Sequence, residues 1–176
     1  MAITKIQSES VNLTDNFAFT GTVTGAGESN TPSFSANNTS TTITASVKTV
    51  TKATFNNELY DTASAYNTST SRFTVPSGQA GKYHFETTFN SFESTANNTS
   101  TGWQVYFYKN GSNELFLTQG GGSHTGNARM NILSGSFNLS VDDYIEVYFR
   151  YNSSSGNAGY DVGQAYNRFS GFKISS

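Results

Sequence analysis

Few residues in this chain have side chains suited to chemistry, and their spacing limits what they can do. Asp142, Asp143 and Glu146 stand close together in "VDDYIEV". Carboxylates grouped in this way can serve calcium, which takes several oxygen ligands, or they can solvate a turn. Glu146 reads as a strand residue and no regular ligand spacing is present, so the solvated turn is the simpler reading. The chain has two histidines, His84 and His124. His84 alternates with Tyr83 and Phe85, which turns it toward solvent or a neighbouring molecule. His124 lies in "GGGSHTGN", where it is either a polar loop residue or a receptor contact. That stretch lacks the Gly-Lys-Ser/Thr ending of a phosphate loop. Tyr160 and Tyr166 punctuate "YNSSSGNAGYDVGQAYN", a composition suited either to a solvated loop or to a binding surface in which aromatic rings stack on a sugar. No nucleophile stands beside a base and no carboxylate pair or metal cluster is evident. The expectation is therefore a protein that is not an enzyme and uses no cofactor.

The elements that must position these residues read as strands. In "GKYHFETTF", residues 81–89, Tyr83, Phe85, Thr87 and Phe89 occupy every second position, the pattern of a strand with one face in a core. Arg72 to Val75 alternates as well, and "PSGQAG" between the two runs supplies a turn. "WQVYFYKNGS" sets Trp103, Val105 and Phe107 against Gln104, Tyr106 and Tyr108. Asn110-Gly111 is the strongest hairpin signal in the chain, because both residues accept the positive φ of a tight turn. "ELFLTQ" (114–119) returns, followed by "ARMNILSGSFNLSV" (128–141). "DDYIEVYFRY" sets Ile145, Val147, Phe149 and Tyr151 against Tyr144, Glu146, Tyr148 and Arg150, and "NRFSGFKI" (167–174) closes the series. Upstream, "SFSA" (33–36), "TTITASV" (41–47) and "KATF" (52–55) also read as strands. Residues 120–127 and 152–166 read as loops.

Composition sets the class. The chain has 176 residues, 14% of them aromatic and 12% charged, a length that suits one sizeable domain. No window repeats apolar residues at helical spacing. A net charge of -2 with no basic run argues against nucleic acid, which demands clustered Lys and Arg. No apolar run is long enough to span a membrane, and "MAITKIQSES" lacks the apolar core of a signal peptide, so synthesis in a cytoplasm is expected. With no cysteine, the fold must be held by its core and by any contacts between subunits. Residues 1–31 read as an N-terminal arm with a Gly-rich joint, preceding a domain over 32–176. Phe17 and Phe19 alternate within the arm, so a short strand there would pair with the domain's edge, a neighbouring subunit or a docking protein.

The order of these signals resembles the C1q/TNF-like domain. Gly81, Tyr83 and Phe85 match its Gly-X-Tyr-X-Phe strand. Lys109, Asn110 and Gly111 match its hairpin, and Phe169, Ser170, Gly171 and Phe172 its terminal strand. The family's usual Gly-Asp before the penultimate long strand is replaced here by Asp142-Asp143, a change a turn accepts. The resemblance implies an all-β, ten-stranded jelly-roll sandwich that associates as a homotrimer. The leader "ITKIQSES" with "NLTDNFAFTGTVTGAG" looks like the opening of structural proteins of tailed phages. That second likeness implies a virion-surface protein made in the host cytoplasm, in which residues 1–31 attach to another virion protein. Its expected role is a fibre or spike head that meets a host-surface glycan or protein through His124, Tyr160 and Tyr166. A capsid-decorating protein is the alternative, and a secreted lectin-like adhesin the third reading.

Overall fold

The computed structural model describes residues 30–39, 43–46, 48–93, 100–120, 129–153, 157–160 and 167–176. Among them no helix occurs. The first half of the chain forms β1 (Ser33–Asn37), β2 (Ile43–Ser46), β3 (Val50–Lys52), β4 (Asn57–Asp61), β5 (Tyr66–Asn67), β6 (Arg72–Thr74) and β7 (Gly81–Glu93). The second half forms β8 (Ser100–Lys109), β9 (Ser112–Gly120), β10 (Arg129–Leu139), β11 (Tyr144–Ser153), β12 (Asn157–Tyr160) and β13 (Arg168–Ser175). Two antiparallel sheets result, the jelly-roll sandwich expected. One runs β2-β12-β7-β13-β1-β4, with β10 along the other side of β7; the second runs β5-β6-β11-β8-β9, with β3 also on β11.

Alternation decides which side chains meet between the sheets. On β7, Tyr83, Phe85 and Thr87 are buried while Lys82 and Glu86 face out. Trp103, Val105 and Phe107 on β8 and Ile145, Val147, Phe149 and Tyr151 on β11 are buried from the opposite sheet. Their rings interlock: Phe34 stacks on Phe73 at 5.1 Å and meets Phe169 edge-on at 4.9 Å. Phe85 touches rings from both sheets, among them Phe73 at 5.2 Å, Phe107 at 6.3 Å and Phe169 at 6.0 Å. Aromatic pairs in such geometries add roughly 0.5–1.5 kcal/mol each beyond the area they bury.

Backbone without side chains flanks Phe85. Its register partners on the flanking strands are both glycine, Gly135 on β10 and Gly171 on β13. A Cβ placed on Gly171 would collide with the Phe85 ring, so the Phe-Ser-Gly-Phe signal is a packing requirement. The hairpin signal has an equally local cause. Asn110 and Gly111 take φ of 52° and 81°, the double positive φ of a tight two-residue hairpin.

Some expectations are corrected. Of residues 52–55 only Lys52 lies in a strand. Ala53 N–H still donates to Val147 C=O at 2.9 Å, but Phe55 leaves the sheet for the core, where its N–H donates to Ser71 Oγ. The stretch 152–166 is not one loop. Residues 152–153 extend β11, and β12 pairs Tyr160 with Ile43 on one side and Ser91 on the other. β4 and β5 were not anticipated from sequence. The joint and arm over 1–29 lie outside the described residues, while Pro32 already belongs to the domain, its carbonyl accepting from Lys173 N–H at 2.9 Å.

The Phe85–Gly171 contact yields a coupled prediction. Phe85→Ala should cost about 3–5 kcal/mol through the cavity it leaves, and Gly171→Ala about 1–3 kcal/mol or more through overpacking. In the double variant the added methyl meets the vacated space, so the two penalties should fall well short of additive. Urea unfolding of the four proteins checks this; simple additivity would show that the ring does not lie on the Gly171 backbone.

Candidate functional site

A two-layer sandwich leaves two outward faces, and they carry different chemistry. The first belongs to the β10-β7-β13-β1-β4 part of the larger sheet. Outward rows follow from the register: Phe172 sits beside His84, which sits beside Ser136, and Ile132 sits beside Thr88. Ile132 is 55% exposed and Tyr60 51%, with Met130, Phe172 and Ile174 also open to solvent. Small side chains lie among them, Ser33, Ser35, Ser134, Ser136 and Ser170. His84 rests against Phe172 at 5.6 Å and its Nδ1 lies 3.1 Å from Ser136 Oγ. A shallow depression lined by Tyr60, His84, Glu86, Ser170, Gly171 and Phe172 opens here. His84 thus faces outward, as its alternation implies. Large exposed apolar side chains interleaved with serines form a surface that another flat surface can approach closely.

The second face belongs to β3, β6, β11 and β8. Tyr148 lies beside Lys52 on one side and Tyr106 on the other, and Glu146 lies between Arg72 and Tyr108. Tyr108 stacks on Tyr148 at 4.2 Å, and Tyr106 meets Tyr108 edge-on at 6.0 Å. The Arg72 guanidinium sits 3.8 Å over the Tyr144 ring. Glu146 is the centre of this face and only 2% exposed. Its Oε1 accepts from Lys52 Nζ at 2.6 Å and Arg72 Nε at 2.8 Å, and its Oε2 accepts from Tyr148 OH at 3.1 Å. Burial works to raise the Glu146 pKa, but the hydrogen bonds and charges of Lys52 and Arg72 together outweigh it and hold the carboxyl below its ordinary value. Burial first, and then the neighbouring Glu146 charge, pushes Tyr148 up to about 12.

Asp142, Asp143 and Glu146, for which a solvated turn is a simpler reading of the sequence than a calcium site, do not converge. Asp142 takes the turn, with φ of 69°, where the family has glycine; Asp tolerates this conformation better than most residues. Asp143 accepts from Asn110 Nδ2 at 2.7 Å and from Ser140 N–H at 2.8 Å, and pairs with Lys109 at 3.0 Å. Those contacts, the Asn110 hydrogen bond foremost, lower its pKa. Glu146 is committed to Lys52 and Arg72. Among the described residues no group of three or more acidic or histidine side chains is placed to hold a metal ion. Of the residues named as binding contacts, Tyr160 has its backbone in β12, while His124 and Tyr166 lie outside the described residues. Sequence reasoning missed the tyrosine–Glu146 face as a unit, although alternation had set Tyr144, Glu146, Tyr148 and Arg150 on one side.

The C1q domain family matches residues 33–174. Among solved structures, the globular domain of zebrafish complement 1qA protein superposes with a TM-score of 0.56 at 18% identity, covering 82% of this chain and 98% of that one. The Eiger TNF of S. frugiperda gives 0.56 at 10% identity, over 82% and 93% of the two chains. Murine APRIL gives 0.54 at 14% identity, over 81% and 98%. No curated protein matches.

The Glu146 network ties stability to pH. Because the folded carboxyl titrates below its ordinary value of 4.5, its contribution is complete above that value and fades as pH falls through the lower folded value. Glu146→Gln should cost on the order of 2 kcal/mol at neutral pH, less than a fully buried broken pair because Lys52 and Arg72 still reach solvent. The gap between the two proteins should narrow as pH falls below that ordinary value and through the lower folded one, as followed by thermal unfolding. A gap independent of pH would remove the ionised Glu146 from the account.

Proposed function

The chain belongs to the C1q domain family, and from that premise we propose that it is a non-enzymatic recognition module that assembles as a homotrimer through the outer face of β10, β7, β13, β1 and β4. The observation that carries this reading is the exposure of Tyr60, Met130, Ile132, Phe172 and Ile174 on one sheet face. Burying them against copies of the same chain removes apolar area from water. The intervening serines let backbones approach, and a closed ring leaves no copy of the face uncovered. The trimeric number comes from the family resemblance of the sequence.

In the fuller reading the trimer is a fibre or spike head on the surface of a tailed-phage particle, with residues 1–31 attaching it to another virion protein. Support for this step lies in the leader "ITKIQSES" and "NLTDNFAFTGTVTGAG". A capsid-decorating role would use the same trimer and the same arm. Electron microscopy of labelled particles separates them: density at the tail or a vertex fits the head, density across the capsid face fits the decoration, and absence from particles overturns both.

Assembly itself is tested by sedimentation. The wild type should run as a trimer. Ile132→Glu with Phe172→Glu puts charge in place of two of the exposed apolar side chains of this face and should yield monomers with an unchanged far-ultraviolet circular dichroism spectrum. A monomeric wild type, or a double variant that stays trimeric, would overturn the assignment of this face.

A further inference from the structure

Self-association through one sheet leaves the face of the other unexplained. Tyrosines belong in cores or contacts, yet Tyr108, Tyr144 and Tyr148 are half-buried on the outer side of β8 and β11, on the sheet opposite the proposed trimer face. Their rings are held in place: Tyr108 and Tyr148 stack at 4.2 Å, and Tyr144 lies under the Arg72 guanidinium at 3.8 Å. A ring already fixed loses little freedom when a ligand settles on it.

The polar groups here are equally prearranged. Buried Glu146 draws in Lys52 Nζ and Arg72 Nε and also accepts from Tyr148 OH. Arg72 spends its Nε on Glu146, which leaves the terminal guanidinium nitrogens to offer N–H groups beside the Tyr144 ring. Lys52 and Arg72 keep 30% and 36% of their side chains exposed. Arg150, whose Nε donates to Lys48 C=O, adds a third cation along the same side of β11. Lys52 on β3, Arg72 on β6 and Arg150 on β11 thus share this face with one carboxylate, Glu146, which pairs with the first two, in a chain whose net charge is -2. Exposed Glu114 lies on the edge strand β9, beyond Tyr108.

We propose that this face binds an acidic saccharide, with the C–H side of a sugar ring on the side of the Tyr148 ring turned away from its stacking partner Tyr108 and a uronate-type carboxylate at Arg72 and Lys52. The match is one of chemistry. A pyranose ring presents an apolar face to an aromatic shelf, its carboxylate answers the surplus positive charge, and a guanidinium fork grips a carboxylate through paired N–H groups. A neutral sugar would leave unanswered the positive charge in excess of the single Glu146 carboxylate, and a plain polyanion would leave the aromatic surface unused. The inference deepens the recognition part of the proposed function and places it on a surface separate from the self-association face.

Calorimetric titration of the full chain with tetragalacturonate, and with maltotetraose as the neutral counterpart, tests it. The acidic sugar should bind at least tenfold more tightly, with affinity falling as salt is raised. Arg72→Gln should bring it to the neutral sugar's level. Tyr148→Ala should weaken it at least tenfold, while Tyr148→Phe, which keeps the ring, should bind within a few-fold of the wild type. The absence of tetragalacturonate binding would overturn the proposal. So would affinities unchanged in both Arg72→Gln and Tyr148→Ala, or dextran sulfate binding as tightly as tetragalacturonate to wild type and Tyr148→Ala alike, which would reduce the face to charge alone. Sedimentation of the same samples keeps the two readings apart: a trimer that fails to bind sinks this inference only, and a monomer that binds sinks only the trimer.

Discussion

Phe85 settles onto backbone that has no side chain to obstruct it. With Gly135 and Gly171 as its register partners on β10 and β13, its ring spans the gap between the sheets and touches Phe73 and Phe107 from the far side. The chain has no cysteine, and this interlocked set of rings ties one sheet to the other. Close packing is intolerant of added volume, which explains why glycines stand in mid-strand, where they would otherwise weaken a sheet: Gly171 on β13 leaves room for the Phe85 ring and Gly135 on β10 for the Leu115 side chain. Because the inner faces supply the cohesion, the outer faces are free to carry side chains chosen for contact with something else.

Much of this fold was legible because the strands that build it are half-buried and long. Period-two alternation marks β7, β8, β11 and β13 directly, and it separates the inward set of each from the outward set. β5 spans only Tyr66–Asn67, too short for any period to register. β4, "NELYD", has no buried position at all, so it offers no apolar repeat and is specified by its pairing with β1. β12, "NAGY", lies in a Gly/Ser/Asn-rich stretch with no apolar repeat of its own, its place fixed by β2 and β7. The candidate site was less legible than the fold. Alternation shows that Glu146 and Tyr148 face away from the core, but Lys52 and Arg72 reach Glu146 across 94 and 74 residues of sequence. A carboxylate that reads as solvated is in fact 2% exposed, because partners remote in sequence close over it.

The two outer faces answer the same problem, exposed aromatic side chains, in different ways. On the larger sheet Tyr60, Phe172 and Ile132 are left open among serines, an arrangement with little to recommend it unless another surface covers it. On the smaller sheet the tyrosines are held by one another and by a buried carboxylate that fixes two cations. A desolvated charge is tolerable only when it is paired and hydrogen-bonded, and Glu146 meets that condition with both oxygens engaged. The first face suits a partner that brings apolar area; the second suits one that brings charge and a flat apolar ring.

Register couples the core to the second face. On β11, Ile145, Val147 and Phe149 point inward, while Tyr144, Glu146 and Tyr148 point outward. A slip of one residue would therefore bury the carboxylate in the aromatic core and eject its hydrophobic neighbours. The turn at the start of β11 guards against that slip. Asn110 at the β8–β9 hairpin accepts from Tyr144 N–H at 2.9 Å and donates through Nδ2 to Asp143, and its own N–H donates to Tyr144 C=O at 3.1 Å. Lys109 adds an ion pair to Asp143 at 3.0 Å. The Lys-Asn-Gly hairpin and the Asp142-Asp143 turn, remote in sequence, thus form one clamp across neighbouring strands. That clamp sets Tyr108 against Glu146 and Tyr106 against Tyr148, so the geometry of the tyrosine shelf is decided at the hairpin, at the end of the strands that carry it.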